Sequence, residues 1–391
     1  MIRFVDGFDV CEYNQVALKY EGYDQGFDQG FVTGGRDGAG NSMEILNTGF
    51  GEVSYTKILD PQSRWGFHAD VQFAGSHFAT VDWYLIAAVD PGTGAVVPIL
   101  TLRILPSGLM SIMQSATGVA IATTSTPITA NAWHTIEFRC DFPGQAVLKI
   151  DGTQAASGSV GSGVALPSRL TFRWQVFGPP SIIVDNYVIF DGQGSSFTDF
   201  LGRVRVTSLL PTADVQTAWT PSAGAGAYAK VNDAFGTPHG APDGDWGYIS
   251  PASAADQLFD VQPSPCFGLN FAVAANVCAR PGSGDQSLSV ICQLSRTRQV
   301  LGTVTFTPVG QVNPNADAAL TNYFTQQVIA EENPDTGDVW IDAQITNAWF
   351  GLRALTANQP IRVSAFYLEK VTSLAGLPYT CGGGSYAFTG P

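Results

Sequence analysis

The sequence predicts an all-β protein of two jelly-roll-type β-sandwich domains in tandem, with long loops. Three observations carry this. Apolar residues make up 45% of the 391-residue chain and charged residues only 13%, ample material for packed cores. The hydrophobic pattern alternates, or runs apolar at strand length, nearly throughout, while helical periodicity is scarce. The 43 glycines and 23 prolines fall between these runs without a fixed period, which suits turns and excludes a collagen-like repeat. A chain this long is expected to split into two domains of about 150 to 200 residues.

The strands follow in order. Residues 66–73 alternate, with Phe67, Ala69, Val71 and Phe73 on one face. Residues 83–89 form a continuous apolar run, Asp90-Pro-Gly-Thr-Gly turns the chain, and a second run fills 96–104. Pro106-Ser-Gly then leads to a strand at 109–113, completing a hairpin pattern. Residues 133–140 set Trp133, Thr135 and Glu137 against His134, Ile136 and Phe138; their partner at 147–151 ends in the turn Asp151-Gly152. In 170–177, Leu170, Phe172, Trp174 and Val176 point inward, with Trp133 and Trp174 expected in the core. Residues 182–190 close the first half. Asp191-Gly-Gln-Gly-Ser-Ser is the linker, which divides the chain into domains at 1–195 and 196–380 and a glycine-rich tail at 381–391. The second half opens with a strand from Leu201. The stretch 211–257, rich in Ala, Gly, Pro and Asp, is expected to form long loops with little regular structure. Strands return at 267–279, 287–295, 299–307, 322–330, 347–354 and 360–370. Residues 316–320 have helix propensity, yet 322–330 followed by Asn333-Pro-Asp-Thr-Gly reads as strand and turn. There are no heptads and no fixed-period repeats.

Charge narrows the function classes. With 19 Lys+Arg against 33 Asp+Glu the net charge is −14, and no basic cluster exists to displace counterions from a phosphate backbone, so nucleic acid is not an expected partner. Arg203-Val-Arg205 reads as one solvated sheet face. No apolar run reaches about 18 residues, so no membrane insertion is expected. The opening lacks the apolar stretch of a signal peptide, which points to folding in a cytoplasm. The six cysteines include no CxxC pair and read as small buried hydrophobes. So few charges suggest a surface covered by copies of the chain or by partners.

Two resemblances add to this. Trp133-His-Thr-Ile-Glu-Phe, then Val147-Leu-Lys-Ile-Asp-Gly, then Ile183-Val-Asp-Asn-Tyr-Val-Ile-Phe resemble the concanavalin A-like, laminin-G-like jelly roll over residues 3–195. Leu201-Gly-Arg-Val-Arg-Val, Trp219-Thr-Pro-Ser, Pro242-Asp-Gly-Asp, Asn333-Pro-Asp-Thr-Gly-Asp-Val-Trp340 and the opening Phe4-Val-Asp-Gly-Phe-Asp9 resemble tailed-bacteriophage virion proteins. The resemblance implies a non-enzymatic structural component of a phage particle, assembled in the host cytoplasm: a tail, fibre or spike part serving assembly and host attachment. A glycan-binding adhesin on the host surface and a capsid-surface decoration are the alternatives. Expected partners are copies of the chain in a homo-oligomer (a trimer in a fibre or spike), other virion proteins and host surface glycan.

Catalytic equipment is not expected. The Glu-x-Asp-x-x-Glu strand of jelly-roll glucanases is absent, as are Gly-x-Ser-x-Gly and His-Glu-x-x-His. Glu137 stands alone and reads as a solvated or turn-capping residue. Of the four histidines, His68 and His77 could converge across a hairpin or be ordinary strand and loop residues. No metal or other cofactor is expected. The candidate binding residues are Asp243, Asp245, Trp246 and Tyr248. The two aspartates can serve a turn or donate oxygens to calcium, although a calcium loop wants more acidic oxygens than this stretch supplies. The two aromatics can stack on sugar rings, or bury against the other sandwich or a neighbouring subunit.

Overall fold

The computed structural model describes residues 1–9, 16–20, 22–25, 29–33, 35–37, 40–45, 53–75, 80–90, 92–161, 166–174, 181–193, 197, 199–224, 226–232, 244–252, 254–263, 268–294, 297–307, 322–355, 360–374, 379–381 and 384–386. The chain divides into two compact units, Met1–Phe8 with Tyr20–Arg203, and Asp9–Lys19 with Val204–Pro391. This division differs from boundaries at 195 and 380 in three places, one being that the second unit runs on to Pro391. Residues 9–19 belong to the second unit, where Leu18 and Lys19 are buried. Residues 199–203 stay with the first, tied by Arg139 to Asp199 at 2.6 Å, by the Gly202 N–H to Glu137 at 2.8 Å and by Arg203 to Asp37.

The first unit is a two-sheet, jelly-roll-like sandwich. Its strands are β1 (Ile2–Asp6), β2 (Gly22–Gln25), β3 (Gln29–Thr33), β4 (Asn41–Ile45), β5 (Val53–Ile58), β6 (Arg64–Ala74), β7 (Val81–Val89), β8 (Val96–Ile104), β9 (Met110–Gln114), β10 (Val119–Thr123), β11 (Trp133–Asp141), β12 (Gly144–Ile150), β13 (Thr153–Val160), β14 (Arg169–Trp174) and β15 (Ser181–Asp191). One sheet runs β13-β12-β11-β6-β15-β4-β3 with β1 also on β15; the other runs β10-β9-β8-β7-β14-β5-β2. All pairings are antiparallel, which lets hairpin turns connect neighbours. Phe67, Ala69, Val71 and Phe73 are all fully buried. The Phe67 ring stacks on Tyr84 of the opposite sheet at 4.0 Å and meets Trp83 edge-on at 5.8 Å, geometries that favour aromatic pairs beyond the area they bury. The core tryptophans are Trp65 and Trp83. Trp133 is only half-buried, because its strand end lies at the rim, and the Trp174 side chain lies outside the described residues.

The second unit is also a sandwich: β16 (Val204–Leu209), β17 (Pro211–Gln216), β18 (Trp219–Pro221), β19 (Ile249–Pro251), β20 (Asp256–Val261), β21 (Leu269–Pro281), β22 (Gln286–Gln293), β23 (Arg298–Phe306), β24 (Phe324–Ala330), helix α1 (Asp342–Asn347), β25 (Trp349–Ala354), β26 (Ile361–Ser373), and the hairpin β27 (Tyr379–Cys381) with β28 (Gly384–Tyr386). One sheet runs β18-β19-β26-β21-β24 with β16 on β26, the other β17-β20-β25-β22-β23. Phe259 of one sheet meets Phe366 of the other at 5.6 Å in a core that also holds Trp219, Trp340 and Phe350. The six apolar runs after residue 266 form β21 to β26. The expectation of little regular structure in 211–257 is corrected. β17, β18, β19 and the start of β20 lie there, with 3-10 turns at Tyr228–Lys230 and Gly244–Trp246. Three-residue strands are too short to show a period, and buried Trp219, whose Nε1–H donates to the Ala255 carbonyl at 3.1 Å, anchors them instead. Arg205 is also corrected: it is 5% exposed, not part of a solvated face.

Both units bury charge outside their apolar cores. In the second, the Lys19 ammonium donates to both Glu369 oxygens at 3.1 Å, and Glu369 also accepts from Asn276 at 3.0 Å and Gln327 at 3.1 Å. The ammonium lies 5.5 Å from the Tyr367 ring centre. Leu18 packs beside it with Cys278, Tyr323, Ala365 and Tyr367. Cys140, Cys278 and Cys292 are buried. Burial pushes the Cys292 thiol up to about 12 and that of Cys140 further, which leaves neither a nucleophile.

Candidate functional site

Polar side chains gather in two places, one in each unit. In the first unit they line the face of the eight-stranded sheet opposite the core. Alternation along β6 turns His68 and Asp70 to this face, and the register sets Glu137 across from His68 and both Thr135 and Asp185 across from Asp70. Asn186, at φ 52°, forms an irregularity between Asp185 and Val188, a left-handed conformation that Asn tolerates. Asp70 thereby accepts from Asn186 Nδ2 at 2.9 Å, Thr135 Oγ1 at 2.7 Å and Arg36 Nη1. The Arg36 backbone N–H donates to Asp185 at 2.9 Å. Beside them, Asp151 takes the Thr135 N–H at 2.9 Å and lies 2.8 Å from His134 Nδ1.

His68 is wholly buried between two carboxylates, with Nδ1 4.0 Å from Glu137 and Nε2 4.0 Å from Asp70. These gaps are longer than hydrogen bonds, and neither nitrogen has a hydrogen-bond partner. Glu137 is 1% exposed, which corrects its reading as a solvated residue. The Gly202 N–H closes over it. Burial pushes the Glu137 carboxyl up, but His68, the Gly202 N–H and Lys149 outweigh this and hold it below the usual range. His134, the Thr135 N–H and Arg36 likewise outweigh burial at Asp151. In the second unit Arg353 and Arg298 hold Asp256 low against burial. Carboxylates with depressed folded values stabilise the fold above their unfolded value of about 4 and lose that contribution as pH falls through the folded values. The thermal midpoint is therefore expected to be flat above about pH 5 and to fall below about pH 4. A midpoint unchanged down to pH 3 in a calorimetric series would contradict this.

The second place holds the described members of the 243–248 group. Pairing of β18 with β19 continues past Ile249: the Ser222 N–H donates to the Tyr248 carbonyl at 2.8 Å, and the Tyr248 N–H to Ser222 Oγ at 3.2 Å. Upstream, the Gly244 N–H donates to Ser364 Oγ at 2.6 Å, fixing the 3-10 turn on β26. Asp245 at its centre is clamped. One oxygen takes Arg362 Nη1 at 2.9 Å and the Tyr323 hydroxyl at 3.0 Å, and the other lies 3.0 Å from Arg280 Nη1. The Arg362 guanidinium stacks over Tyr248, 4.7 Å from the ring centre. Tyr248 and Arg362 open onto a cleft of about 400 Å³ completed by Ser250, Pro251, Gly282, Pro360 and Ile361. Trp246 stands 57% exposed two residues upstream of Tyr248.

Asp245 therefore acts as the anchor of two arginines, which leaves its oxygens occupied and unsuited to calcium. Tyr248 is the member of the group that faces the cleft, and Trp246 remains accessible. Asp243, His77 and His239 lie outside the described residues. Among those described, no three His, Cys, Asp or Glu side chains gather as metal ligands. Arg280, Tyr323 and Arg362 escaped sequence reasoning because each is a single residue far along the chain from 245, on a strand or, for Tyr323, just before one, with no local motif. Asp70, and the placing of His68 between two carboxylates, escaped it because alternation identifies a strand's second face without revealing whether that face is covered.

No family model matches the chain, and no curated protein matches it. Among solved structures, "Cellulose induced protein, Cip1" is similar at 13% identity with a TM-score of 0.38, covering 48% of this chain and 97% of that one. A protein of unknown function with galectin-like fold from Bacillus subtilis is similar at 13% identity and a TM-score of 0.32, covering 48% and 97%. Domain 4 of AbnA, a GH43 extracellular arabinanase from Geobacillus stearothermophilus in complex with arabinotriose, is similar at 15% identity and a TM-score of 0.31, covering 46% and 79%.

Proposed function

We propose that the chain is a non-catalytic, carbohydrate-binding attachment protein that engages saccharide at the Tyr248–Arg362 cleft of its second unit. One observation carries the reading: an aromatic ring, with a guanidinium stacked 4.7 Å from its centre, lines together with it a cleft of about 400 Å³. A sugar presents apolar C–H faces and hydroxyl edges, and this cleft offers a partner for each. The Tyr248 ring and the Ile361 and Pro251 surfaces meet the apolar face; Ser250 and Arg362 meet the hydroxyls. Because β18, β19 and β26 fix the lining, little ordering accompanies binding. A glycan array with the intact protein, followed by titration calorimetry on the best binder, tests the reading. Tyr248→Ala is expected to weaken binding about tenfold, roughly 1.4 kcal/mol, with the melting temperature retained and no reducing ends released from the polysaccharide. An array without any bound saccharide, or equal affinity of the variant, would overturn it.

We further propose that this binding serves a tailed-phage particle, in which the chain is a homo-oligomeric tail, fibre or spike part, or else decorates the capsid surface. The resemblance of 201–351 and of the Phe4-Val-Asp-Gly-Phe-Asp9 opening to virion proteins supports this. So does the exposure of Val96, Val97 and Val119 at 47%, 40% and 59% on β8 and β10 of the first unit, apolar area that self-association can cover. Sedimentation of the protein is expected to give a multiple of the 41.4 kDa chain mass, and a labelled protein is expected to decorate one place on the particle. A monomer that labels no particle would contradict the assignment.

A further inference from the structure

Resting on the carbohydrate reading of the same cleft, we infer that its ligand is an acidic saccharide, one carrying a carboxylate that docks on Arg362. The argument is one of charge and preorganisation. The chain as a whole carries −14, yet among the described residues two arginines face the one carboxylate of Asp245, a local excess of positive charge. Asp245 is saturated, since its two oxygens already take Arg280, Arg362 and the buried Tyr323 hydroxyl. Arg362 is not. Its Nη1 serves Asp245, the side chain is 41% exposed and it lines the cleft.

Asp245 fixes the guanidinium at one edge and the Tyr248 ring covers one face, so the fork is held in place before any ligand arrives. A planar fork of N–H donors held in this way matches a carboxylate in two-point contact, which a neutral sugar hydroxyl cannot reproduce. The surrounding negative charge lowers affinity for polyanions at a distance, so the preference must come from this local contact. Ser250 and the Tyr248 ring then hold the rest of the sugar, which makes the carboxylate the determinant of choice between saccharides.

The test compares oligogalacturonate with its methyl ester, two ligands that share a sugar backbone and differ in the charge at the carboxyl. Titration calorimetry on the full chain is expected to show the acid bound at least tenfold more tightly than the ester. The gap is expected to vanish in Arg362→Gln. Arg362→Lys, which can still neutralise Asp245, is expected to keep the melting temperature and to restore only part of the preference, because an ammonium lacks the fork. Equal binding of acid and ester, or a preference that persists in Arg362→Gln, overturns the acidic-saccharide inference while leaving the carbohydrate reading intact. Binding of a neutral glycan from the array with no binding of the acid also overturns it. Absence of binding to any saccharide instead removes the carbohydrate reading itself.

Discussion

Lys19→Ala is expected to destabilise the second unit by about 3–5 kcal/mol, because it strands a buried carboxylate. Lys19 and Glu369 are each 1% exposed, and the ammonium lies 3.1 Å from a Glu369 oxygen. Asn276 and Gln327 add hydrogen bonds to the same carboxylate but carry no charge to balance it. The loss reaches beyond electrostatics, since Lys19 follows Leu18, which packs with Cys278, Tyr323, Ala365 and Tyr367. The paired change Lys19→Met with Glu369→Leu removes both charges and is expected to return most of the stability, as apolar replacement of a buried ion pair often does. Urea unfolding followed by tryptophan fluorescence measures both. A loss under about 1 kcal/mol for Lys19→Ala, the range of an exposed pair, would contradict the account. The same logic predicts that a fragment beginning at Val204 folds poorly, because residues 9–19 belong to that unit.

In the first unit the largest effect is expected at Asp70. Asp70→Ala removes the common acceptor of Arg36, Thr135 and Asn186 in a wholly buried setting, and a cost of about 3–5 kcal/mol is expected. Asp70→Asn keeps one oxygen for Thr135 but loses the charge facing Arg36 and sets an amide NH2 where the second oxygen takes Asn186 Nδ2, so it is expected to cost less than alanine without being neutral. Arg36→Met is expected to be additive with neither, because the groups share one network. Thermal unfolding of the three variants and their combinations gives the coupling. An additive cycle, or equal losses for alanine and asparagine at position 70, would show that Asp70 is not the centre of this network.

Much of the fold was legible in the chain. The alternation of Phe67, Ala69, Val71 and Phe73 gave the inward face of β6, and the six apolar runs after residue 266 gave β21 to β26. Both signals are local, because a strand's side-chain period depends on nothing beyond the strand. Illegible features were those set by distant partners. Nothing local to Glu137 reveals that the Gly202 N–H, 65 residues on, donates to its carboxylate. Arg205 looked solvated because its alternation with Arg203 is the same whether or not another element covers the strand. Residues 9–19 look like part of the first domain because they are contiguous with it, and only tertiary packing assigns them elsewhere.

The candidate site divides in the same way. Tyr248 and Trp246 could be named from sequence as aromatics in a loop. Arg280, Tyr323 and Arg362 could not, since β21, the start of β24 and β26 bring them to Asp245 from far along the chain. The role of Asp245 changed with them, from a turn or calcium residue to the anchor that orients Arg362.

The most direct test of the central claim is a structure of the protein with the tightest-binding saccharide from the glycan array. The account predicts a sugar ring lying against the Tyr248 ring, with the Arg362 guanidinium and Ser250 hydroxyl on its polar edge. A saccharide seated on the polar sheet face of the first unit, near Arg36 and Asp151, with the Tyr248–Arg362 cleft empty, would contradict it.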